Sequence, residues 1–181
     1  MLNKLKNKKI VLCHGVFDLI HIGHIKYLKK AKELGNFLIV SVTSDKFVNK
    51  GPGRPAFNTE QRMQFLSELK FVDHVCESSD FTAVKVIEKI KPKFYCKGID
   101  YPLDKLKNDI NLNAEIKAVK KNKGEFVVIK EPKFSSSQLI NQNLLQNLNN
   151  DCKRYIKSIK KIMNLIYFFS SFLEIISSLI L

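Results

Sequence analysis

Residues 14–24 read His-Gly-Val-Phe-Asp-Leu-Ile-His-Ile-Gly-His, and they join two segments of different hydrophobic pattern. The run before them, residues 10–13, is continuously apolar, which is typical of a buried parallel strand. After them, apolar residues recur every three positions up to Leu34, and Gly35 follows, which is typical of a helix and its end. A helix start leaves backbone N–H groups without partners, and these can bind a phosphate. The stretch therefore predicts a strand, a turn with an anion site, and a helix over 24–34.

Two histidines stand at the predicted helix start. His21 and His24 are three residues apart, so their imidazoles lie on one face of the helix. Gly23 between them carries no side chain, which lets a ligand come close to the backbone. A metal-binding pair or a structural pair of histidines are the alternatives. We predict no metal ligands here, because no cysteine or carboxylate lies nearby at metal-ligand spacing, and the pattern favours a nucleotide-phosphate site.

Apolar strand-like runs alternate with helical segments along the rest of the domain. We expect strands over 8–13, 37–42, 71–76, 93–97 and 125–130, and helices over 24–34, from Thr59, over 81–90 and over 112–123. The right-handed strand–helix–strand crossover then gives an α/β fold, a Rossmann-like parallel sheet of about five strands flanked by helices. In such sheets ligands collect at the carboxyl ends of the strands.

Thr59 is the expected cap of the helix that follows the second strand. Its capping box is expected to be incomplete, because Arg62 stands where a glutamate or glutamine would complete it.

The pattern Gly15-x-Phe17-Asp18-x-x-His21-x-Gly23-His24 resembles the signature of the cytidylyltransferase-like nucleotidyltransferases. Residues 10–141 are similar to the nucleotidyltransferase half of two-domain proteins that also carry a sugar-kinase-like half. Residues 42–46 with Arg54-Pro55 resemble the sugar-phosphate branch, which includes the adenylyltransferases that make ADP-heptose. The cytidylyltransferases that act on glycerol 3-phosphate or related small polyol phosphates resemble these residues almost as well.

The resemblance implies a set of site residues. His21, His24 and Lys46 would be catalytic. The nucleotide-binding positions would be Gly15, Val16, Phe17, Asp18, Gly23, Arg62, Lys97, Gly98, Asp100, Ser135, Ser136 and Ser137. Lys50 and Arg54, in a loop rich in glycine and proline, are candidate phosphate contacts. The family's closing serine motif lacks its leading arginine here; Lys130 and Lys133 could supply charge but not a bidentate fork.

The implied reaction is attack by a phosphate monoester on the α-phosphorus of CTP or ATP, with release of pyrophosphate. A phosphate monoester is already anionic near neutral pH, so the site needs to position two polyanions and neutralise charge, and it needs no general base. Mg²⁺ would be bound through the nucleotide phosphates. The acceptor would be a phosphorylated sugar or polyol for surface polysaccharide, and we expect a homodimer. The alternative is a non-catalytic nucleotide-binding regulator.

The chain carries a net charge of +14, and more than half of it lies in residues 1–10 and 151–161. The sequence shows no basic patch interleaved with aromatic residues, so we expect no nucleic-acid partner. Four widely spaced cysteines without a C-x-x-C pair predict buried free thiols in a reducing cytosol. We therefore expect a cytoplasmic protein without a secretory signal.

The composition also suggests three regions. A nucleotidyltransferase domain over 8–141 would be followed by a polar and basic helical linker over 142–161 and a hydrophobic tail over 162–181. The tail could span a bilayer behind the basic segment, although Glu174 weakens that interpretation. A packed helix and the end of a truncated two-domain protein remain open as well, so membrane contact through this tail stays an expectation.

Overall fold

The computed structural model describes residues 7–50, 54–98 and 109–130. Within them, one parallel sheet has the strand order β3-β2-β1-β4-β5. Its strands are β1 (Ile10–Gly15), β2 (Phe37–Thr43), β3 (His74–Ser78), β4 (Phe94–Gly98) and β5 (Glu125–Ile129). The helices are α1 (Ile22–Glu33), α2 (Thr59–Ser67), α3 (Val84–Ile90) and α4 (Ile110–Lys121), with a 3₁₀ turn over Asp45–Phe47. The predicted Rossmann-like α/β fold is confirmed.

The central strand β1 divides the core into two layers, because its side chains alternate across the sheet. Val11 and Cys13 pack on the side that also holds buried residues of α1 and α2. Leu12 packs on the opposite side, with buried residues of α3 and α4. Both layers are built mainly from side chains at or near zero exposure, each of which stabilises the fold by about 1.5–3 kcal/mol when fully buried. The same alternation carries His14 to the α3 and α4 side.

Helix α1 begins two residues earlier than the pattern predicts, at Ile22, with His21 as its N-cap. It ends at Glu33, one residue before the predicted end, with Leu34 as its C-cap. Gly35 is required by close packing: a Cβ at this position would lie 2.2 Å from the carbonyl oxygen of Lys9. The helix is thus fitted closely to the start of β1.

The predicted cap of α2 is wrong by one residue. Asn58 is the N-cap, and its side chain accepts from the backbone N–H of Gln61 at 2.9 Å. Gln61 returns the bond by accepting from the Asn58 N–H at 3.2 Å, so the capping box is complete. Thr59 instead exchanges bonds with Asp45: the Asp45 N–H donates to its hydroxyl at 2.9 Å, and its own N–H donates to the carboxylate at 3.1 Å.

Two further boundaries differ from the prediction. β3 starts at His74 and not at 71, because the chain turns first, with the Val72 N–H donating to the Leu69 carbonyl at 2.8 Å. α3 starts at Val84 and not at 81, so Phe81 lies in the preceding loop. The other elements agree with the predicted ranges to within about two residues, which is the usual disagreement at element ends.

The predicted free thiols are confirmed where the structure describes them: Cys13 and Cys96 are buried and Cys76 is half-buried. Cys152 lies outside the described residues, as do the predicted linker over 142–161 and tail over 162–181. The end of the predicted domain at 141 also lies outside them. No helix in the described ranges is both long enough and apolar enough to cross a membrane.

Candidate functional site

The turn after β1 is tightly built. Gly15 ends the strand, and a Cβ there would meet the Phe17 ring at 3.2 Å. Phe17 has a positive φ of 50°, which turns the chain away from the sheet. Its ring is held in the core, because the residue is only 5% exposed. The turn therefore delivers His21 to the start of α1 at the carboxyl edge of the sheet.

His21 and His24 cap the helix reciprocally. Nδ1 of His21 accepts from the backbone N–H of Gly23 at 3.1 Å, and Nδ1 of His24 accepts from the backbone N–H of His21 at 3.4 Å. The rings stack, with centroids 3.9 Å apart and an interplanar angle of 29°. A neutral imidazole that accepts at Nδ1 carries its proton on Nε2. Both rings therefore have an N–H donor on the nitrogen that is not used in capping.

His24 is held neutral. Burial is the main cause that lowers the pKa of His24 to about 4, and the charges of His21 and Lys50 add to the effect. The edge of the Phe17 ring also packs against His24, with centroids 5.4 Å apart. At neutral pH His24 is thus an uncharged hydrogen-bond donor, and a bound anion would raise its pKa again.

Asp18 binds the loop that begins at Arg54, after residues 51–53. Its carboxylate is 1% exposed; one oxygen accepts from the backbone N–H groups of Ala56 at 2.7 Å and Phe57 at 3.2 Å, and the other pairs with Nε of Arg54. Burial by itself would raise the pKa of Asp18, but these hydrogen bonds outweigh it and hold the pKa below its usual value. Nη2 of Arg54 is buried and has no hydrogen-bond partner within the described residues.

Arg62 is fully buried. Its guanidinium donates to three backbone carbonyl oxygens, those of Val16, of Thr43 at 2.9 Å and of Phe57 at 2.9 Å. It also pairs with the Asp45 carboxylate at 2.7 Å. In the observed geometry the Arg62 guanidinium positions the surrounding loops. The predicted direct contact between Arg62 and nucleotide stays a prediction.

The two predicted lysines next to β2 are exposed. Lys46 lies on the 3₁₀ turn and makes no hydrogen bond or ion pair with any described residue. Lys50 lies close enough to His24 to lower the pKa of that ring. The catalytic role predicted for Lys46 and the phosphate contact predicted for Lys50 stay predictions.

A buried polar cluster lies on the α3 and α4 side of the same edge. Lys97 is 5% exposed and pairs with Glu115 of α4 at 3.4 Å. Glu115 also accepts from the backbone N–H of Ala83 at 2.8 Å and from the Tyr95 hydroxyl at 2.7 Å. Lys97, predicted to bind nucleotide, is thus part of a buried ion pair.

His14 belongs to this cluster, and no role is predicted for it from the sequence. Its Nδ1 lies 3.2 Å from the Ser41 hydroxyl and its Nε2 lies 3.4 Å from the Thr43 hydroxyl. Burial, and secondarily the charge of Lys97, lowers the pKa of His14 to about 3. The signal that could have placed it is its separation of two from Leu12, which puts both side chains on one face of the strand.

The structure brings one group of predicted residues together around the end of β1. This group contains Gly15, Val16, Phe17, Asp18, His21, Gly23, His24, Lys50, Arg54 and Arg62. Lys97 and Gly98 end β4, the neighbouring strand. Asp100, Ser135, Ser136 and Ser137 lie outside the described residues.

Comparisons with known proteins indicate one family. The family model for cytidylyltransferase-like domains matches residues 12–158. The chain is 39% identical over 147 residues to the bifunctional protein HldE of Shewanella baltica strain OS185, covering 80% of this chain and 29% of that protein. It is 41% identical over 139 residues to the bifunctional protein HldE of Campylobacter jejuni subsp. doylei, covering 76% of this chain and 28% of that protein.

A solved structure is also similar. The lipopolysaccharide core biosynthesis protein of Thermoplasma volcanium GSS1 superposes with a TM-score of 0.57 at 28% identity, covering 71% of this chain and all of that one. The chain spans about three tenths of the length of its HldE relatives. The family model nevertheless covers most of the present sequence. The chain therefore belongs to the cytidylyltransferase-like family of nucleotidyltransferases.

Proposed function

We propose that the chain transfers CMP or AMP from CTP or ATP to a phosphorylated sugar or polyol and releases pyrophosphate. The observation that carries the proposal is the reciprocal cap formed by His21 and His24. It sets two imidazoles at a helix start, each with Nδ1 engaged in capping and Nε2 as the ring nitrogen that can donate, where backbone N–H groups also favour an anion. Family membership supports the same reaction class.

In the proposed reaction an oxygen of the acceptor phosphate attacks the α-phosphorus. A new P–O bond forms, and the bond from the α-phosphorus to the bridging oxygen of the β-phosphate breaks. The electron pair leaves with that oxygen as pyrophosphate. Negative charge grows on the oxygens around the α-phosphorus and on the leaving group, and His21 and His24 would donate hydrogen bonds to them. No group has to remove a proton from the acceptor.

Cations around the histidines would hold the phosphates. The buried Nη2 of Arg54, which lacks a partner within the described residues, is a donor that a phosphate oxygen would satisfy. Lys50 and the exposed Lys46 would contact the triphosphate and the acceptor phosphate. Asp100 and the serines at 135–137 complete the proposed nucleotide site, with Lys97 and Gly98 at the end of β4.

Mg²⁺ would enter this site with the nucleotide. Both carboxylate oxygens of Asp18 are engaged by Arg54 and by loop N–H groups, so the phosphates themselves are the fitting ligands for the ion. When bound, Mg²⁺ neutralises charge on the phosphate oxygens.

The relatives support a role in making an activated sugar. One structural neighbour is a lipopolysaccharide core biosynthesis protein, and the sequence relatives are bifunctional HldE proteins. We therefore propose a nucleotide-activated precursor of surface polysaccharide as the product, made in the cytoplasm by a homodimer.

A pyrophosphate-release screen tests the proposal. The full chain is incubated with Mg²⁺, each of CTP, ATP, GTP and UTP, and a panel of phosphorylated sugars and polyols. We expect pyrophosphate with CTP or ATP and one class of acceptor. If calorimetry shows nucleotide binding while no acceptor gives pyrophosphate, the chain is a nucleotide-binding regulator and the proposal is wrong.

A further inference from the structure

Two aromatic rings stand together where β2 and β3 end. Phe47 closes the 3₁₀ turn after β2, and Phe81 lies in the loop after β3. Their centroids are 4.8 Å apart with an interplanar angle of 83°, so one ring meets the other edge to face. Phe81 is nevertheless 66% exposed, which leaves at least one of its faces open to solvent.

The backbone presents this ring in a defined position. The Ser44 N–H donates to the Ser78 carbonyl at 3.0 Å and ties the two loops together. The Asp80 carboxylate accepts from the Phe81 N–H at 2.7 Å and pairs with Lys85 at 3.0 Å. Exposing an apolar ring on a fixed loop is unfavourable in water, and the open face of Phe81, backed by the half-buried Phe47, is a surface that an apolar face of a ligand can cover.

The strand order places the two rings to one side of the proposed reacting centre. Neighbouring strands of a sheet are about 4.8 Å apart, so loops one and two strands away from β1 lie roughly 5–10 Å from its end. Lys46, which is exposed, directly precedes Phe47. A phosphate at Lys46 would therefore lie at the same turn as the ring pair, on the side of β1 away from β4.

We infer that Phe81, supported by Phe47, is a platform for the apolar C–H face of a cyclic sugar whose phosphate is bound at Lys46. The inference rests on the proposed function and narrows its acceptor class. A ring-shaped sugar covers the exposed face of Phe81, whereas a short linear polyol phosphate does not reach across it. Phe81 therefore favours cyclic sugar phosphates over linear ones.

Phe81→Ala tests the platform, with Phe65→Ala as the matched control. Phe65 is 46% exposed and also forms an edge-to-face pair, with Phe57 at 5.2 Å, but it lies on α2 and not in a loop at the strand ends. At saturating nucleotide and Mg²⁺, we expect Phe81→Ala to raise KM for cyclic sugar phosphates about tenfold and KM for glycerol 3-phosphate less than twofold. Phe81→Trp should keep the wild-type preference, and Phe65→Ala should change neither value.

Calorimetry of a cyclic sugar phosphate binding to the wild type and Phe81→Ala, without nucleotide, reads the platform independently of turnover. Weaker binding to Phe81→Ala supports the inference even if the screen finds no reaction, in which case only the proposed function fails. Equal binding to both proteins overturns the inference. An increase in KM that is the same for both acceptor classes also overturns it. A raised KM for nucleotide would mean that Phe81 stacks on the base, and a change of oligomeric state would mean that Phe81 lies in a protein interface; either result overturns the inference.

Discussion

Each side of the sheet holds a histidine at the carboxyl edge, and the two histidines differ in their hydrogen-bond partners. On the α1 side, His24 is half-buried and has a pKa of about 4; on the α3 and α4 side, His14 is buried and has a pKa of about 3. Burial is the main cause in both. The difference lies in their partners, because hydroxyl groups lie against both nitrogens of His14, whereas Nδ1 of His24 accepts from the backbone N–H of His21. A lowered pKa therefore does not by itself identify a functional histidine.

The largest effect should come from a variant that keeps the N-terminal cap of α1 but removes its two imidazoles. The double variant His21→Asn and His24→Gln rebuilds the Asn-x-x-Gln box that already starts α2, so helix capping should survive. Both imidazole donors are lost, and each such donor accounts for about 100-fold in rate, so we expect about a 10⁴-fold loss of pyrophosphate release. Thermal unfolding should stay within a few degrees of wild type. Activity above one tenth of wild type in this folded variant would contradict the catalytic role of the pair.

A smaller effect is expected from breaking the ion pair on the α3 and α4 side. Lys97→Met leaves Glu115 charged and buried, which should cost about 3–5 kcal/mol in the free energy of unfolding by urea. The double variant Lys97→Met and Glu115→Gln removes both charges and should recover most of that loss. Its turnover then reports on ligand contact: a stable double variant with reduced activity supports the predicted nucleotide contact of Lys97, and a stable variant with full activity limits Lys97 to a structural role.

The smallest effect is a change in pH dependence at His14. Its folded-state pKa of about 3 lies below the unfolded value of 6.5, so the unfolded chain takes up the proton first as the pH falls. The stability that neutral His14 contributes is therefore complete above about pH 6.5 and is lost progressively below it, by about 2 kcal/mol at pH 5. His14→Asn should lose about that much less than wild type between pH 8 and pH 5, measured by urea unfolding at each pH. Equal losses in the two proteins would show that His14 is not held neutral.

The sequence predicts the α1 side of this comparison better than the other side. Strand and helix periodicity together with Gly15 and Gly23 locate the turn, and the spacing of His21 and His24 puts both rings on one face. The reciprocal cap is harder to predict, because histidine is not among the preferred capping residues. The same limit explains the error at α2, where Asn58 and Thr59 are adjacent and both are good caps.

The α3 and α4 side depends on contacts between distant parts of the chain. Glu115 and Lys97 belong to different elements, and their pairing follows from how α4 packs beside α3 and β5. Hydrophobic periodicity fixes which face a residue occupies, but it does not give the polar partner it finds there. The buried network is therefore visible only once the elements are packed.

The contacts of Arg62 affect the conformational entropy of ligand binding. A single guanidinium binds carbonyl oxygens from the connection after β1, from the end of β2 and from the connection before α2. These three segments are fastened at one point, so a force on one is transmitted to the others. The conformational entropy of ordering them is lost when the chain folds and not when a ligand arrives, which leaves more of the binding free energy for discriminating between ligands.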